Sequence, residues 1–120
     1  MLLAQCHCGQ ISVTATHKPS TVTECNCSIC GRFGARWAYY KQIEVTVKTT
    51  GSETHTYRWG DEDIDFHHCP NCGCMTHYTG TGKQSEQDRV AINTRMCNPQ
   101  DMIDITVRHF DGADTWQYLD

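Results

Sequence analysis

The strongest constraint on this chain is its cysteine pattern: nine cysteines in 120 residues, nearly all in three tight runs. The runs are Cys6-His7-Cys8-Gly9, Cys25-Asn26-Cys27-Ser28-Ile29-Cys30-Gly31 and Cys69-Pro70-Asn71-Cys72-Gly73-Cys74, and Cys97 stands apart. Thiols two or three residues apart suit tetrahedral thiolate coordination, whereas a disulfide-stapled secreted chain spreads its cysteines out. The odd count points the same way. A hydrophobic content of 38% and an aromatic content of 9% are modest for a core expected to hold a fold alone, and small cores are commonly supplemented by metals. At this length we expect one zinc-binding domain covering residues 1–120.

No basic stretch followed by an apolar run opens the sequence, and no apolar segment is long enough to span a bilayer. The expectation is a cytoplasmic protein without a membrane partner. The formal net charge is −4, and the Lys and Arg residues are scattered. Phosphate neutralisation needs a basic stripe, so nucleic acid is not an expected partner.

Residue patterning predicts a mainly β, irregular, zinc-stabilised fold of short strands with little helix. Ile11 to Thr16 alternates apolar and polar residues, as a half-buried strand does. Arg36–Tyr40, Val45–Thr50, His55–Trp59, Thr76–Thr79, Arg89–Thr94 and Ile103–Phe110 carry the β-branched and aromatic residues of strands. The Asp111-Gly112 turn predicts a last strand over Thr115–Tyr118. One helical turn is expected after Asn98-Pro99, where Asn caps and Pro suits the first position. Thr79 to Ser85 reads as a loop whose Gly-x-Gly-Lys lacks the spacing of a phosphate loop.

Cys69-Pro70-x-Cys72-Gly73 is a knuckle: Pro70 fixes φ early in a tight turn and Gly73 permits the positive φ that follows. It supplies two ligands, and Cys6 with Cys8 are the natural second pair, on one face of an extended segment. The four would close a long loop around a structural metal. Cys25, Cys27 and Cys30 offer three. Four protein ligands describe a structural zinc and three describe a catalytic one, so the character of this site depends on a fourth ligand. Cys74 is the first candidate, followed by His67, His68, His77 and Cys97.

The three runs in this order resemble the glutathione-dependent formaldehyde-activating enzyme family, which includes S-(hydroxymethyl)glutathione synthase. Val90-Ala91-Ile92-Asn93, Arg95 and Phe110-Asp111-Gly112 resemble the C-terminal part of its short bacterial members. The resemblance implies two zinc ions, a structural one on Cys6, Cys8, Cys69 and Cys72 and a catalytic one on Cys25, Cys27 and Cys30. It implies a carbon–sulfur lyase whose partners are a small thiol, glutathione, and a small aldehyde, formaldehyde. The adduct's alkoxide needs a proton, for which His67, His68, His77, Tyr39 and Tyr40 are candidate donors. Arg32 and Arg36 are candidate clamps for glutathione's carboxylates. Trp37, Tyr39 and Tyr40 read as core rather than as a substrate platform, and Cys97 reads as a partly buried free thiol. The competing reading is a non-catalytic binding module with two closed structural zinc sites. A thiol redox protein using Cys74 or Cys97 ranks last, because metal-bound thiolates exchange poorly.

Overall fold

The computed structural model of the chain describes residues 1–60, 62–81 and 88–120. Among them are ten strands: β1 (Leu2–Gln5), β2 (Ile11–Ala15), β3 (Thr21–Cys25), β4 (Trp37–Lys41), β5 (Val45–Thr49), β6 (His55–Tyr57), β7 (Ile64–His68), β8 (Met75–Gly80), β9 (Arg89–Asn93) and β10 (Thr106–Phe110). One α-helix, α1 (Ser28–Phe33), and short 3₁₀ turns complete the described elements. The fold is mainly β, as the patterning predicts.

The strands form two sheets. A three-stranded sheet has the order β1-β2-β5, and a seven-stranded sheet has the order β10-β3-β4-β9-β8-β7-β6. Pairing is antiparallel except between β10 and β3, which run parallel with Phe110 beside Cys25. Alternation along β4 shows how the large sheet is used. Ala38 and Tyr40 face a core shared with Leu2, Ala4, Ile11 and Val13 of the small sheet. Trp37, on the opposite face, joins Phe66, Tyr78, Ala91 and Cys30 of α1 in a second core. Burial on both faces explains why β9 reads as a continuous run, Val90-Ala91-Ile92-Asn93, all buried.

Most expected strands are present with shifts of one or two residues. The 3₁₀ turn at Pro99–Met102 has Asn98 as its cap, the side chain accepting from the Gln100 N–H. Three differences have local causes. The segment Thr115–Tyr118 makes only an isolated bridge, Phe110 to Tyr118, because Trp116 takes a positive φ that breaks extension. Helix α1 has Cys27 as its N-cap, a thiol where a hydroxyl or carboxylate is usual, so no cap signal marks it in the sequence. Cys6 and Cys8 do not sit on a strand. They flank a turn closed by the Gly9 N–H donating to the Cys6 carbonyl at 3.0 Å, with Gly9 at φ 83. Of the expected loop Thr79–Ser85, Thr79 and Gly80 end β8 and residues 82–85 lie outside the described residues.

Candidate functional site

Two groups of thiols converge. The sulfurs of Cys6, Cys8, Cys69 and Cys72 all lie within 4.8 Å of one another, and so do those of Cys25, Cys27 and Cys30. Both groups could hold a metal ion.

The four-cysteine cluster joins two knuckles. One follows β1, and the other is the turn of the β7–β8 hairpin, where Gly73 takes φ 79 and its N–H donates to the Cys69 carbonyl at 3.0 Å. Cys6 and Cys69 are buried within the first core. The Cys6–Cys8 and Cys8–Cys69 sulfurs are 3.7 and 3.6 Å apart. Tetrahedral thiolates at about 2.3 Å from a metal would be about 3.8 Å apart. Backbone N–H groups point at the sulfurs: Ile11 to Cys6 at 3.2 Å, and Asn71 and Cys72 to Cys69 at 3.4 Å each. Such donors favour thiolates. The Cys74 N–H, followed by that of Cys8, pulls the Cys72 thiol down to about 5, whereas burial pushes Cys6 up to about 11.

The three-cysteine cluster comes from one short segment, the end of β3 and the first turn of α1. The Cys27 sulfur accepts from the Cys30 N–H at 3.4 Å. Burial opposes ionisation of Cys27, but the Cys30 N–H and the neighbouring thiols outweigh it and lower its pKa. Cys30 is the deepest, and its pKa is raised, first by burial. The Trp37 indole N–H is buried without a hydrogen-bond partner and lies on the side of Cys30. An orphaned donor beside a thiol makes sense when that thiol is a metal-bound thiolate.

The C-terminal segment locks this cluster from outside. The Gly112 N–H donates to the Cys25 sulfur. A Cβ at Gly112 would lie 2.5 Å from that sulfur, so the approach requires glycine. Asn26 donates to Asp111 Oδ1 at 2.9 Å and accepts from the Ala113 N–H at 2.9 Å. The other Asp111 oxygen accepts from the Thr115 N–H and hydroxyl, and these contacts, led by Asn26, hold the carboxyl below the usual range. Trp116 follows at φ 59, a conformation that costs a bulky residue about 1–2 kcal/mol.

No fourth His, Cys, Asp or Glu joins the three-cysteine group among the described residues. Cys74 lies instead against the other cluster. The His7 N–H offers it a hydrogen bond, while burial and the Cys72 and Cys69 thiols raise its pKa. His67 is held between Thr54 and Thr79 hydroxyls at 2.7 and 2.8 Å and stacks on His77 at 4.2 Å. His68 packs against Phe33, and Cys97 is buried in the first core. Tyr40 donates its hydroxyl to the His17 carbonyl at 2.8 Å, away from the sulfurs. Tyr39 is exposed on β4, with the Arg89 guanidinium 4.6 Å over its ring.

Neither candidate clamp faces the cluster unencumbered. Arg32 donates to the Ser28 carbonyl at 2.8 Å, and Arg36 pairs with Glu24 at 2.9 Å. Glu24 also meets Arg95 at 3.3 Å and His109 at 3.2 Å. That hub borders a cavity of about 290 Å³ lined by Glu24, Cys25, Cys30, His109, Phe110 and Leu119 among others. Sequence patterning does not reveal this hub, the Trp37 N–H or the role of Gly112. The available signals were Asn26 between two ligand-type cysteines and the rigid Asp111-Gly112 pair.

Known proteins share both the pattern and the fold. A sequence model of the glutathione-dependent formaldehyde-activating enzyme family matches residues 1–110. A crystal structure of a Rhodobacter sphaeroides protein shares the fold, with a TM-score of 0.70 and 22% identity over 88% of this chain and 99% of that one. No curated protein matches. No helix among the described residues is long and apolar enough to cross a membrane.

Proposed function

The chain belongs to the glutathione-dependent formaldehyde-activating enzyme family, and from that membership we propose that it is a cytoplasmic, zinc-dependent carbon–sulfur lyase. It adds the thiol of glutathione, or of a similar small thiol, to formaldehyde or another small aldehyde. One observation carries the reading. Three thiols converge at the end of β3 without a fourth protein ligand among the described residues, whereas the other cluster has four.

All-sulfur donor sets with N–H groups aimed at them fit zinc. Cys6, Cys8, Cys69 and Cys72 would hold one ion as a structural tie, and Cys25, Cys27 and Cys30 a second. A zinc ion held by the second group would supply the Lewis acidity that lowers the pKa of a substrate thiol toward neutral pH. The remaining work belongs to the chain. The N–H groups of Gly112 and Cys30 spread the negative charge of the cysteine sulfurs that they face. The substrate sulfur forms a bond to the carbonyl carbon, the C=O π pair moves onto oxygen, and a proton completes the S-hydroxymethyl product.

The closed-module alternative needs a fourth ligand that the described residues do not offer. Cobalt replacement tests the proposal. Protein loaded with two Co²⁺ ions should change the absorption of one of them when glutathione is added, and an unchanged spectrum at saturating glutathione would sink the lyase reading.

A further inference from the structure

We propose that Trp116 is a substrate-binding residue that selects peptide-like thiols, its indole forming the wall along which the thiol's amide groups lie while the sulfur reaches the three-cysteine cluster. The inference rests on the lyase reading above and adds to it the part of the protein that grips the substrate's body.

Four observations converge on this residue. Trp116 adopts φ 59 and is held there by its N–H donating to the Asp111 carbonyl at 2.7 Å. Strain of this kind persists where the surroundings over-determine it, and it concentrates at ligand sites. The same Asp111 is tied by its carboxylate to Asn26, which separates Cys25 from Cys27. One hydrogen-bond set therefore positions both the indole and the sulfurs. The indole is 70% exposed, so the protein's own core gains little from it. Phe110 backs it edge-on, with ring centroids 5.1 Å apart.

The fourth observation is distance. The indole edge and the Cys25 sulfur both border the point that a side chain on Gly112 would fill, which puts them within about 6 Å of each other. Glycine leaves that point clear. A rigid, exposed indole recognises flat groups by stacking. Glutathione carries amide planes on both sides of its cysteine residue, whereas 2-mercaptoethanol has none. A ligand with its sulfur at the cluster therefore has an amide plane at the right remove to lie on Trp116, and a simple alkanethiol does not.

The test uses the zinc-loaded full chain with Trp116→Phe and Trp116→Ala, assayed for formaldehyde addition with glutathione and with 2-mercaptoethanol. The KM for glutathione should rise about tenfold in the Ala variant and less in the Phe variant. The kcat and the KM for 2-mercaptoethanol should stay within twofold. Glutathione should also change the tryptophan emission of the wild type more than that of Trp116→Phe, which retains Trp37 beside Cys30. Zinc content identifies a variant that has failed to fold; should the Ala variant fail, the emission and KM of the Phe variant decide. An unchanged glutathione KM in the folded variants, with emission responding equally in wild type and Trp116→Phe, overturns the inference. A wild type that responds to no thiol at all overturns the lyase reading, and this inference with it.

Discussion

The two cysteine clusters are built from similar atoms by opposite routes. In one, two knuckles from distant parts of the chain meet, Cys6 and Cys8 from the start and Cys69 and Cys72 from a hairpin turn. Each knuckle presents a pair of sulfurs, and two pairs fill a tetrahedron. In the other, a strand end and a helix start deliver three sulfurs from six consecutive residues. This segment supplies three thiols, and the C-terminal loop beside it brings the Gly112 N–H and an indole toward Cys25 rather than a further thiol. The difference is one of chain routing: two approaches bring four sulfurs together, and one approach brings three.

The contrast breaks most readily at the ligands themselves. Cys69→Ser should abolish cooperative folding as followed by circular dichroism, because a structural zinc contributes about 10–16 kcal/mol to folding. Cys27→Ser should remain folded, lose one of two zinc ions and lose the thiol response. Equal instability of the two variants would erase the distinction. A smaller effect is expected at Gly112→Ala, whose methyl group would meet the Cys25 sulfur. It should weaken metal at the three-cysteine cluster by about 10–100-fold and cost about 1–3 kcal/mol from overpacking. Chelator competition would then show one site weakened and the other unchanged; weakening of both would mean that the clusters are coupled.

The smallest effect concerns the hairpin behind the four-cysteine knuckle. Burial lowers the His77 pKa from 6.5 to about 3. The unfolded chain therefore takes up the proton first. Stability from neutral His77 is complete above pH 6.5 and is lost as the pH falls toward 3, by at most about 1.4 kcal/mol per unit. Denaturant midpoints between pH 7.5 and 5.5 should fall in the wild type and flatten in His77→Gln. An identical slope in both would remove His77 as the acid-sensitive point of that hairpin.

Much of the fold was legible because its strands alternate or carry β-branched runs. β2 and β5 show this plainly, and so does β9 once its double-sided burial is recognised. Helix α1 was not legible, since it has six residues and a thiol cap. Strands β1, β3 and β7 were missed too. β1 and β3 run into the cysteine runs that dominate their local pattern, and β7 sets only Ile64 and Phe66 among Asp65, His67 and His68. The grouping of sulfurs could be read from spacing because a knuckle's geometry is local. What surrounds them could not, because the Gly112 N–H, the Trp37 N–H and the Trp116 indole reach Cys25 and Cys30 through tertiary contacts that residue spacing does not encode.

The parallel pairing of β10 with β3 carries a consequence for biosynthesis. Translation releases Cys72 well before Phe110 and Gly112, so the two clusters mature at different moments. The four-cysteine group has all its sulfurs as soon as the β7–β8 hairpin emerges. Cys25, Cys27 and Cys30 leave the ribosome earlier than that hairpin, yet they wait for the last strand to dock alongside β3. A nascent chain stalled between these points would have the four sulfurs of one group available together while Cys25 still lacked its cover from Gly112.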